Sequence, residues 1–148
     1  MLPLETRYAE EMVGVLAAPE IYAFTGGEPP TVEALVSRYE RQVKGPDRPG
    51  EYWLNWVLQQ QDETLVGYVQ ATVTDDEAEI AWVVGTAWQG RGFAKEAAVG
   101  LVTWLEAHGV RRIVAQIHPD HAASAAVSAA AGLTRTEVMQ DGEFRWQN

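Results

Sequence analysis

Three consecutive segments in the middle of the chain, residues 52–59, 65–73 and 77–84, are rich in apolar, aromatic and β-branched residues, as strands are. In the third segment the even-numbered residues from Ala78 to Val84 are apolar and share one face, which is the two-residue period of a strand. The connections between the segments are short and polar, as antiparallel hairpins require. The pattern therefore predicts three neighbouring antiparallel strands.

Apolar residues at helical spacing mark four other segments. They are residues 8–16, a helix with Thr31 as its N-cap, a long helix over residues 92–108, and an alanine-rich helix over residues 122–131. Gly109 follows the long helix, as glycine often does at a helix C terminus. The predicted inner face of the second helix consists of Leu35, Val36, Tyr39 and Val43. That of the long helix consists of Phe93, Ala97, Ala98, Leu101, Val102 and Leu105.

The remaining apolar segments predict further strands over residues 112–117, 134–140 and 143–146, with a short strand at residues 2–4. The last two of the longer strands are joined by the Asp-Gly pair at 141–142, which is a strong hairpin signal. Helices therefore alternate with strands in a mixed order. This order predicts an α+β protein in which helices pack on one mixed sheet.

The composition narrows the class of protein. A chain of 148 residues, 47% of them hydrophobic, suffices for a single domain over residues 1–148. The absence of cysteine excludes disulfides and thiolate nucleophiles. The net charge of -10 disfavours nucleic acid and anionic lipid and attracts cations, although it can serve solubility alone. No apolar run approaches the ~20 residues of a membrane-spanning helix, and the N terminus lacks secretory features. We therefore expect a cytoplasmic protein that binds neither nucleic acid nor membrane.

The strongest candidate site lies between the third alternating strand and the long helix, where residues 89–94 read Gln-Gly-Arg-Gly-Phe-Ala. Two glycines allow a tight turn and close contact between the backbone and a ligand. Backbone N–H groups at the start of a helix bind anions, and Arg91 and Lys95 add positive charge. The run differs from the Walker and dinucleotide-binding motifs. It predicts a phosphate-binding loop; the alternative is a glycine-rich turn that only enters the helix.

The same residues carry a family resemblance. The spacing Gln-x-x-Gly-x-Ala in residues 89–94 is similar to the acetyl-CoA signature of the GNAT superfamily of N-acetyltransferases. Residues 88–97 and the run Ile-His-Pro-Asp-His-Ala-Ala-Ser at 117–124 resemble its ribosomal-protein N-terminal acetyltransferase branch, the RimJ/RimL-like group. The resemblance covers residues 22–146. It implies the acyl-CoA N-acyltransferase fold, a mostly antiparallel central sheet flanked by helices.

The resemblance also implies that acetyl-CoA is the co-substrate. In such proteins the pantetheine arm lies between the fourth and fifth strands, which separate. The backbone of the fourth strand would bind the arm and stabilise the oxyanion, here at Trp82, Val83 and Val84. The pyrophosphate would be held by Gln89, Gly90, Arg91, Gly92, Phe93, Ala94 and Lys95. The amine would attack the thioester directly, so alignment of the two substrates would supply much of the acceleration.

Two residues are candidates for proton transfer. Glu79, on the presumed fourth strand, would take the proton from the amine, directly or through water. Ser124, near the start of the short helix, would protonate or hydrogen-bond the leaving sulfur. Glu79 could instead be a solvated carboxylate on an exposed strand face. Ser124 could instead satisfy backbone N–H groups at the start of its helix.

Two departures from the family pattern leave the identity of the acid open. Many relatives have a tyrosine near the thiol, whereas residues 125–131 contain none. The branch usually has asparagine three residues before the serine, where this chain has His121. His121 could hydrogen-bond the co-substrate or transfer protons itself. It could also be a loop histidine in solvent.

The acceptor is the least defined part of the site. The aromatic residues expected to line its pocket are Tyr22, Phe24, Trp53 and Trp146, with Trp56 also available. The spacing of histidines and carboxylates indicates no metal site. The expected function is acetyl transfer to a primary amine, either a protein N terminus or a small molecule. A non-catalytic acyl-CoA-binding module and an interaction protein without a ligand are the alternatives, and a homodimer stays open.

Overall fold

The three strand-like segments predicted in the middle of the chain form the centre of a mixed sheet. The computed structural model describes all 148 residues. Its strands are β1 (Leu2–Pro3), β2 (Glu51–Gln59), β3 (Leu65–Thr74), β4 (Glu77–Val84), β5 (Arg112–Ile117), β6 (Thr134–Gln140) and β7 (Glu143–Gln147). They form one sheet in the order β1-β2-β3-β4-β5-β7-β6, in which only the β4–β5 pair is parallel. The predicted α+β class, with a mostly antiparallel sheet, is confirmed.

Four helices flank this sheet: α1 (Ala9–Val15), α2 (Val32–Lys44), α3 (Phe93–Ala107) and α4 (Ala122–Ala130). The Thr31 hydroxyl accepts a 3.1 Å hydrogen bond from the Ala34 N–H, which confirms Thr31 as the N-cap of α2. Short 3-10 turns occur at Thr6–Tyr8, Pro19–Tyr22 and Thr86–Trp88. Turns this short have no periodicity, so the hydrophobic pattern does not predict them. None of the helices combines the length and apolar character needed to span a membrane.

A hydrophobic core lies on each face of the sheet. The larger core contains 18 buried residues and includes the inner face of α3, where Leu101 and Leu105 are fully buried. The smaller core contains 8 buried residues from α1, α2 and the facing strands. Ile80 belongs to the larger core and Val83 packs against the smaller one. The two faces of β4 therefore differ as the alternation predicts.

One predicted core residue lies outside both cores. Leu35 and Tyr39 on α2 are 0% and 4% exposed, but Val43, one turn further along the predicted inner face, is 56% exposed. The last turn of α2 therefore extends beyond the residues that cover this helix. The prediction for Val43 is wrong because periodicity identifies a helix face without showing how far along that face the rest of the protein reaches.

Strands β4 and β5 pair over only a short stretch. The register runs from Glu77 opposite Arg112 to Glu79 opposite Val114 and stops there. From Ile80 onward the two strands separate, as the family resemblance implies. The remainder of β4 therefore has backbone groups that face an open gap.

Candidate active site

The gap between β4 and β5 widens into a cleft of about 660 Å³. Its walls come from both strands, the loop before α3, the start of α4 and the segment around Pro19–Tyr22. Most residues predicted to bind the co-substrate line it together: Trp82, Val83, Val84, Gln89, Gly90, Gly92, Phe93, Ala94, Lys95, His121 and Ser124. Phe24, predicted for the acceptor pocket, also lines it. The fold therefore brings distant segments of the predicted site to one place.

The loop before α3 has a conformation that requires its glycines. Gly90 and Gly92 have φ angles of 76° and 83°, in the left-handed region that residues with a Cβ rarely adopt. Gln89, at the start of the loop, donates a 3.0 Å hydrogen bond from Nε2 to the main-chain oxygen of Val84. This bond connects the loop to the end of β4.

The backbone N–H groups of residues 90–95 have no acceptor within the protein. The N–H groups of Gln89 and Glu96, on either side, donate to backbone oxygens, and no side chain caps the start of α3. An uncapped helix N terminus carries partial positive charge and binds anions. The run of unpaired N–H groups therefore fits a pyrophosphate.

Two cations reinforce this positive end in a protein whose net charge is -10. Neither Arg91 nor Lys95 takes part in an ion pair. Lys95 lines the cleft, whereas Arg91 is exposed and does not. Arg91 thus adds charge to the loop from outside the cleft, where salt screens its effect.

Backbone groups of β4 line the gap itself. The N–H of Gly85, directly after β4, donates a 2.8 Å hydrogen bond to the main-chain oxygen of Val66 in β3. Because N–H groups alternate in direction along an antiparallel strand, those of Trp82 and Val84 point away from β3 toward the gap. The N–H of Val83 points toward β3. Trp82 and Val84 therefore have the donors that could reach a ligand in the gap.

Gly67 in β3 is a determinant of the cleft that the sequence pattern does not reveal. It lies opposite Val84 in β4. A Cβ at this position would be 2.1 Å from the Val83 oxygen and 2.9 Å from the Val84 Cα. No side chain fits at such distances, so only glycine allows β4 to lie where it does. Its φ is not in the left-handed region, and no turn signal marks it.

His121, Ser124 and Phe24 form a cluster in the wall of the cleft. Ser124 Oγ lies 3.4 Å from His121 Nε2, and the rings of Phe24 and His121 stack with centroids 4.4 Å apart. Burial, with a smaller contribution from the charge of His118, lowers the pKa of His121. The imidazole is therefore neutral at neutral pH, with one donor and one acceptor nitrogen. Such a pair can supply a proton to a group in the cleft.

Glu143, the first residue of β7, is a cleft residue that the sequence pattern does not single out. Burial raises its pKa, against the opposing charge of His118 and with smaller contributions from Glu79 and Asp141. The Asp-Gly turn predicts where β7 begins. It does not predict that β7 lies beside β5, and this sheet order is what brings Glu143 to the cleft.

Glu79, the predicted base, lies near the cleft without lining it. It is exposed on the α2 side of β4, opposite Thr72 of β3. Its charge contributes, less than burial does, to the raised pKa of Glu143. Of these two carboxylates, Glu143 lines the cleft and Glu79 does not.

Three of the aromatic residues predicted for the acceptor pocket do not line the cleft. The Tyr22 hydroxyl donates a 2.9 Å hydrogen bond to a main-chain oxygen just after α1. The Trp53 indole donates to the Glu51 carboxylate at 2.8 Å, on β2. Trp146 packs against the larger core from β7. The structure therefore does not bring these three side chains to the cleft, and their assignment to an acceptor pocket stays a prediction.

One polar atom in the wall of the cleft has no partner. The Oε1 atom of Gln116, on β5, is buried and accepts no hydrogen bond. A buried acceptor left unpaired costs about 1–3 kcal/mol. An amide N–H in the gap would satisfy it, and the pantetheine arm of coenzyme A carries two amides.

Comparisons with known proteins bear on this site. A profile of the acetyltransferase (GNAT) domain family matches residues 1–134. No curated protein sequence matches the chain. Among solved structures, it resembles the microcin C7 self-immunity acetyltransferase MccE in complex with acetyl-CoA and AMP, with a TM-score of 0.79, 19% identity and coverage of 100% of this chain and 89% of that one.

Two structures from Vibrio cholerae are also similar. A spermidine N-acetyltransferase in complex with CoA and spermine has a TM-score of 0.77 and 13% identity, over 98% of this chain and 90% of that one. A provisionally assigned ribosomal-protein-serine acetyltransferase has a TM-score of 0.72 and 16% identity, over 97% and 89%. At these identities the structures show the fold, while the family follows from the profile. This chain belongs to the acetyltransferase (GNAT) domain family.

Proposed function

We propose that this chain is an acetyl-CoA-dependent N-acetyltransferase that transfers an acetyl group directly to a primary amine, with residues 1–148 as one domain. The observation that carries the proposal is the run of N–H groups in residues 90–95, which have no protein acceptor and lie at the mouth of the β4–β5 gap. The family match supports the same function.

The residues of the cleft divide the task of binding the co-substrate. When bound, acetyl-CoA supplies an acetyl group activated as a thioester. Residues 90–95 bind the pyrophosphate through their N–H groups, and Lys95 adds a charge-assisted contact. Gln116 accepts a hydrogen bond from an amide of the arm. The N–H groups of Trp82 and Val84 face the gap, where one of them stabilises the oxygen on which negative charge develops.

The acceptor amine must lose a proton, and we assign its removal to Glu143, through water, with Glu79 as the second candidate. A carboxylate whose pKa is raised is a stronger base than an ordinary glutamate. Glu143 reaches the cleft and has such a pKa. The charge of Glu79 contributes to this raised pKa, and negative charge on the protein attracts a cationic amine.

The leaving thiolate must gain a proton, and we assign its donation to Ser124. The serine hydroxyl lies beside His121, whose neutral ring can return a proton to it from Nε2 while Nδ1 gains one from solvent, so that the ring ends as its other neutral tautomer. This arrangement takes the place of the tyrosine found near the thiol in many relatives. The Ser124–His121 pair would explain both departures from the family pattern, the absent tyrosine and the histidine at the position of the usual asparagine.

For the acceptor we propose only a primary amine, with two classes of molecule as candidates. The motifs of residues 88–97 and 117–124 favour the RimJ/RimL-like branch and therefore a protein N terminus. The solved relatives were crystallised with chemically different molecules, AMP in one case and spermine in another. Since one fold serves several acceptors, a small-molecule amine is an equal candidate for this chain.

Two measurements test the proposed function. A hundredfold excess of CoA over its Kd should stabilise the folded protein by about 2.7 kcal/mol. A thiol-release assay with acetyl-CoA and a panel of amines should then show amine-dependent turnover. CoA binding without turnover on any amine would favour a non-catalytic acyl-CoA-binding module, for which the absent tyrosine is the argument. Absence of CoA binding would exclude both the transferase and the acyl-CoA-binding module.

A further inference from the structure

A second cavity, of about 260 Å³, lies on the α2 side of the sheet. Much of its lining is polar: Arg38, Tyr39, Gln42, Asn55, Tyr68 and Gln70. None of these residues takes part in co-substrate binding or proton transfer as assigned above. The cavity is therefore a polar site whose contents the proposed function leaves unassigned.

Strand β3 places this cavity next to the main cleft. Tyr68 lies opposite Val83, and Gln70 lies opposite Ala81. Side chains directly opposed on neighbouring strands share a face, with Cβ atoms about 4.5–5.5 Å apart. Ala81 and Val83 line the main cleft, on the same face of β4 as Glu79. The second cavity therefore lies on the same face of the sheet, one strand away from residues of β4 that line the main cleft.

Arg38 is a half-buried guanidinium that has no carboxylate partner. It takes part in none of the ion pairs of the protein, although the chain has 21 acidic residues. Its charge acts on the hydroxyls of Tyr22, Tyr39 and Tyr68, whose pKa values it lowers against the larger effect of burial. Arg38 lines this cavity together with Tyr39 and Tyr68, and no ion pair occupies its donors.

Tyr39 adds an unsatisfied donor to the same cavity. The residue is 4% exposed, and its hydroxyl is buried without a hydrogen-bond partner. A buried hydroxyl that lacks a partner is unfavourable. Burial raises the pKa of Tyr39, so the hydroxyl stays protonated and can donate a hydrogen bond to an anionic group.

We propose that this cavity binds a carboxylate of the acceptor, so that the substrate is a small amine carrying a free carboxylate, such as an amino acid. A carboxylate accepts hydrogen bonds at both oxygens and matches a guanidinium and a neighbouring hydroxyl. The inference rests on the proposed function and selects among its acceptors. A protein N terminus would leave Arg38 unpaired, because its first carboxyl group is part of a peptide bond.

Amino acids and their amides are matched acceptors that test this subsite. Each pair shares the amine and side chain and differs only in the carboxylate. At saturating acetyl-CoA we expect kcat/KM to be at least about tenfold higher for the acid, as the loss of one charge-assisted hydrogen bond implies. The amine of the amide is less basic and therefore less protonated at neutral pH, which works against the expected result.

Two variants test whether the preference for the free acid arises in this cavity. Arg38→Gln should remove the preference by raising KM for the acid, with unchanged rates on the amide and an unchanged Kd for CoA. Tyr39→Phe keeps the ring and should reduce the preference in part. Arg41→Gln is the matched control, because it removes the same charge from an exposed position on the same helix. It should leave the preference intact.

The outcomes separate this subsite from the proposed function. If the wild-type protein acetylates amides or peptide N termini as fast as the free acids, the carboxylate subsite is overturned and the transferase remains. If no amine is acetylated, the proposed function fails. Calorimetric titration of the protein–CoA complex with amino acids then tests whether the carboxylate subsite exists. Saturable binding that Arg38→Gln abolishes supports it, and absence of binding overturns it.

Discussion

The side-chain amide of Gln89 donates a 3.0 Å hydrogen bond to the main-chain oxygen of Val84. Val84 is the last residue of β4, and Gln89 begins the anion-binding loop. The bond therefore sets the position of the loop relative to the gap, two parts of the cleft that must hold one ligand. In this structure the first position of the acetyl-CoA signature contacts the protein itself.

Gln89→Ala should lower the affinity for CoA about two- to twelvefold, because a hydrogen bond of this kind contributes roughly 0.5–1.5 kcal/mol. Gln59→Ala is the matched control, since Gln59 donates a similar 3.1 Å bond to the Glu63 oxygen in a hairpin away from the cleft. Calorimetric titration with CoA measures both. Equal losses in the two variants would mean that the bond to Val84 has no special role.

Gly67→Ala should reduce both the free energy of unfolding and the affinity for CoA. The new Cβ would be 2.1 Å from the Val83 oxygen, so β4 must move. Overpacking of this kind typically costs about 1–3 kcal/mol. Gly14→Ala, in α1, has nothing within 4 Å of the added Cβ and should keep stability or raise it. Denaturant unfolding and CoA titration check both variants, and wild-type values for Gly67→Ala would contradict the role of this contact.

Glu143→Gln should lower kcat/KM at neutral pH about a hundredfold, the scale of general base catalysis, without changing the Kd for CoA. Because the pKa of Glu143 is raised, wild-type kcat/KM should increase with pH through an ionisation above the ordinary glutamate value. The variant should lack this ionisation. A pH profile measures it, and Glu137→Gln, at an exposed position of β6, is the control.

Glu143→Gln should raise the free energy of unfolding at high pH although it lowers turnover. A carboxyl whose pKa is raised on folding stabilises the protein below its unfolded pKa, and this contribution is lost as pH rises through the folded pKa. Above that range Glu143→Gln should be more stable than the wild type. If unfolding shows no such gain while turnover falls, the raised pKa is not the source of the basicity.

Ser124→Ala should lower kcat about a hundredfold, since the leaving thiolate would lose its proton donor. Ser128→Ala provides a control one turn further along α4. Ser128 is 0% exposed, and its hydroxyl has no hydrogen-bond partner, so its removal should leave turnover unchanged and stability equal or higher. An effect of Ser124→Ala below threefold would return Ser124 to a structural role.

Local patterns account for the parts of the fold and site that could be predicted. Thr31 caps α2 because its side chain and the following N–H groups are close in sequence. Gly90 and Gly92 have the left-handed angles that the glycine signature implies. The bounds of β5 coincide with the predicted strand, because a short apolar run between polar ends defines it.

The remaining features depend on contacts between distant segments. Glu143 reaches the cleft only because β7 lies between β5 and β6. Gly67 matters because of the carbonyl on the strand opposite, and Arg38 because it shares a cavity with Tyr68 from a distant strand. Val43 is exposed because α2 extends beyond its cover. The periodicity of apolar residues along the chain does not show which distant segments come into contact.

Calorimetric titration of Gly92→Leu and Gly109→Leu with CoA tests the anion-binding loop most directly. The two glycines flank α3, have φ angles of 83° and 88°, and have open space around a new Cβ, so each substitution carries a similar backbone cost of about 1–2 kcal/mol. We predict that Gly92→Leu raises the Kd for CoA at least about a hundredfold, as the loss of several charge-assisted hydrogen bonds implies, while Gly109→Leu leaves it unchanged. Wild-type affinity in a folded Gly92→Leu protein would contradict pyrophosphate binding by residues 90–95.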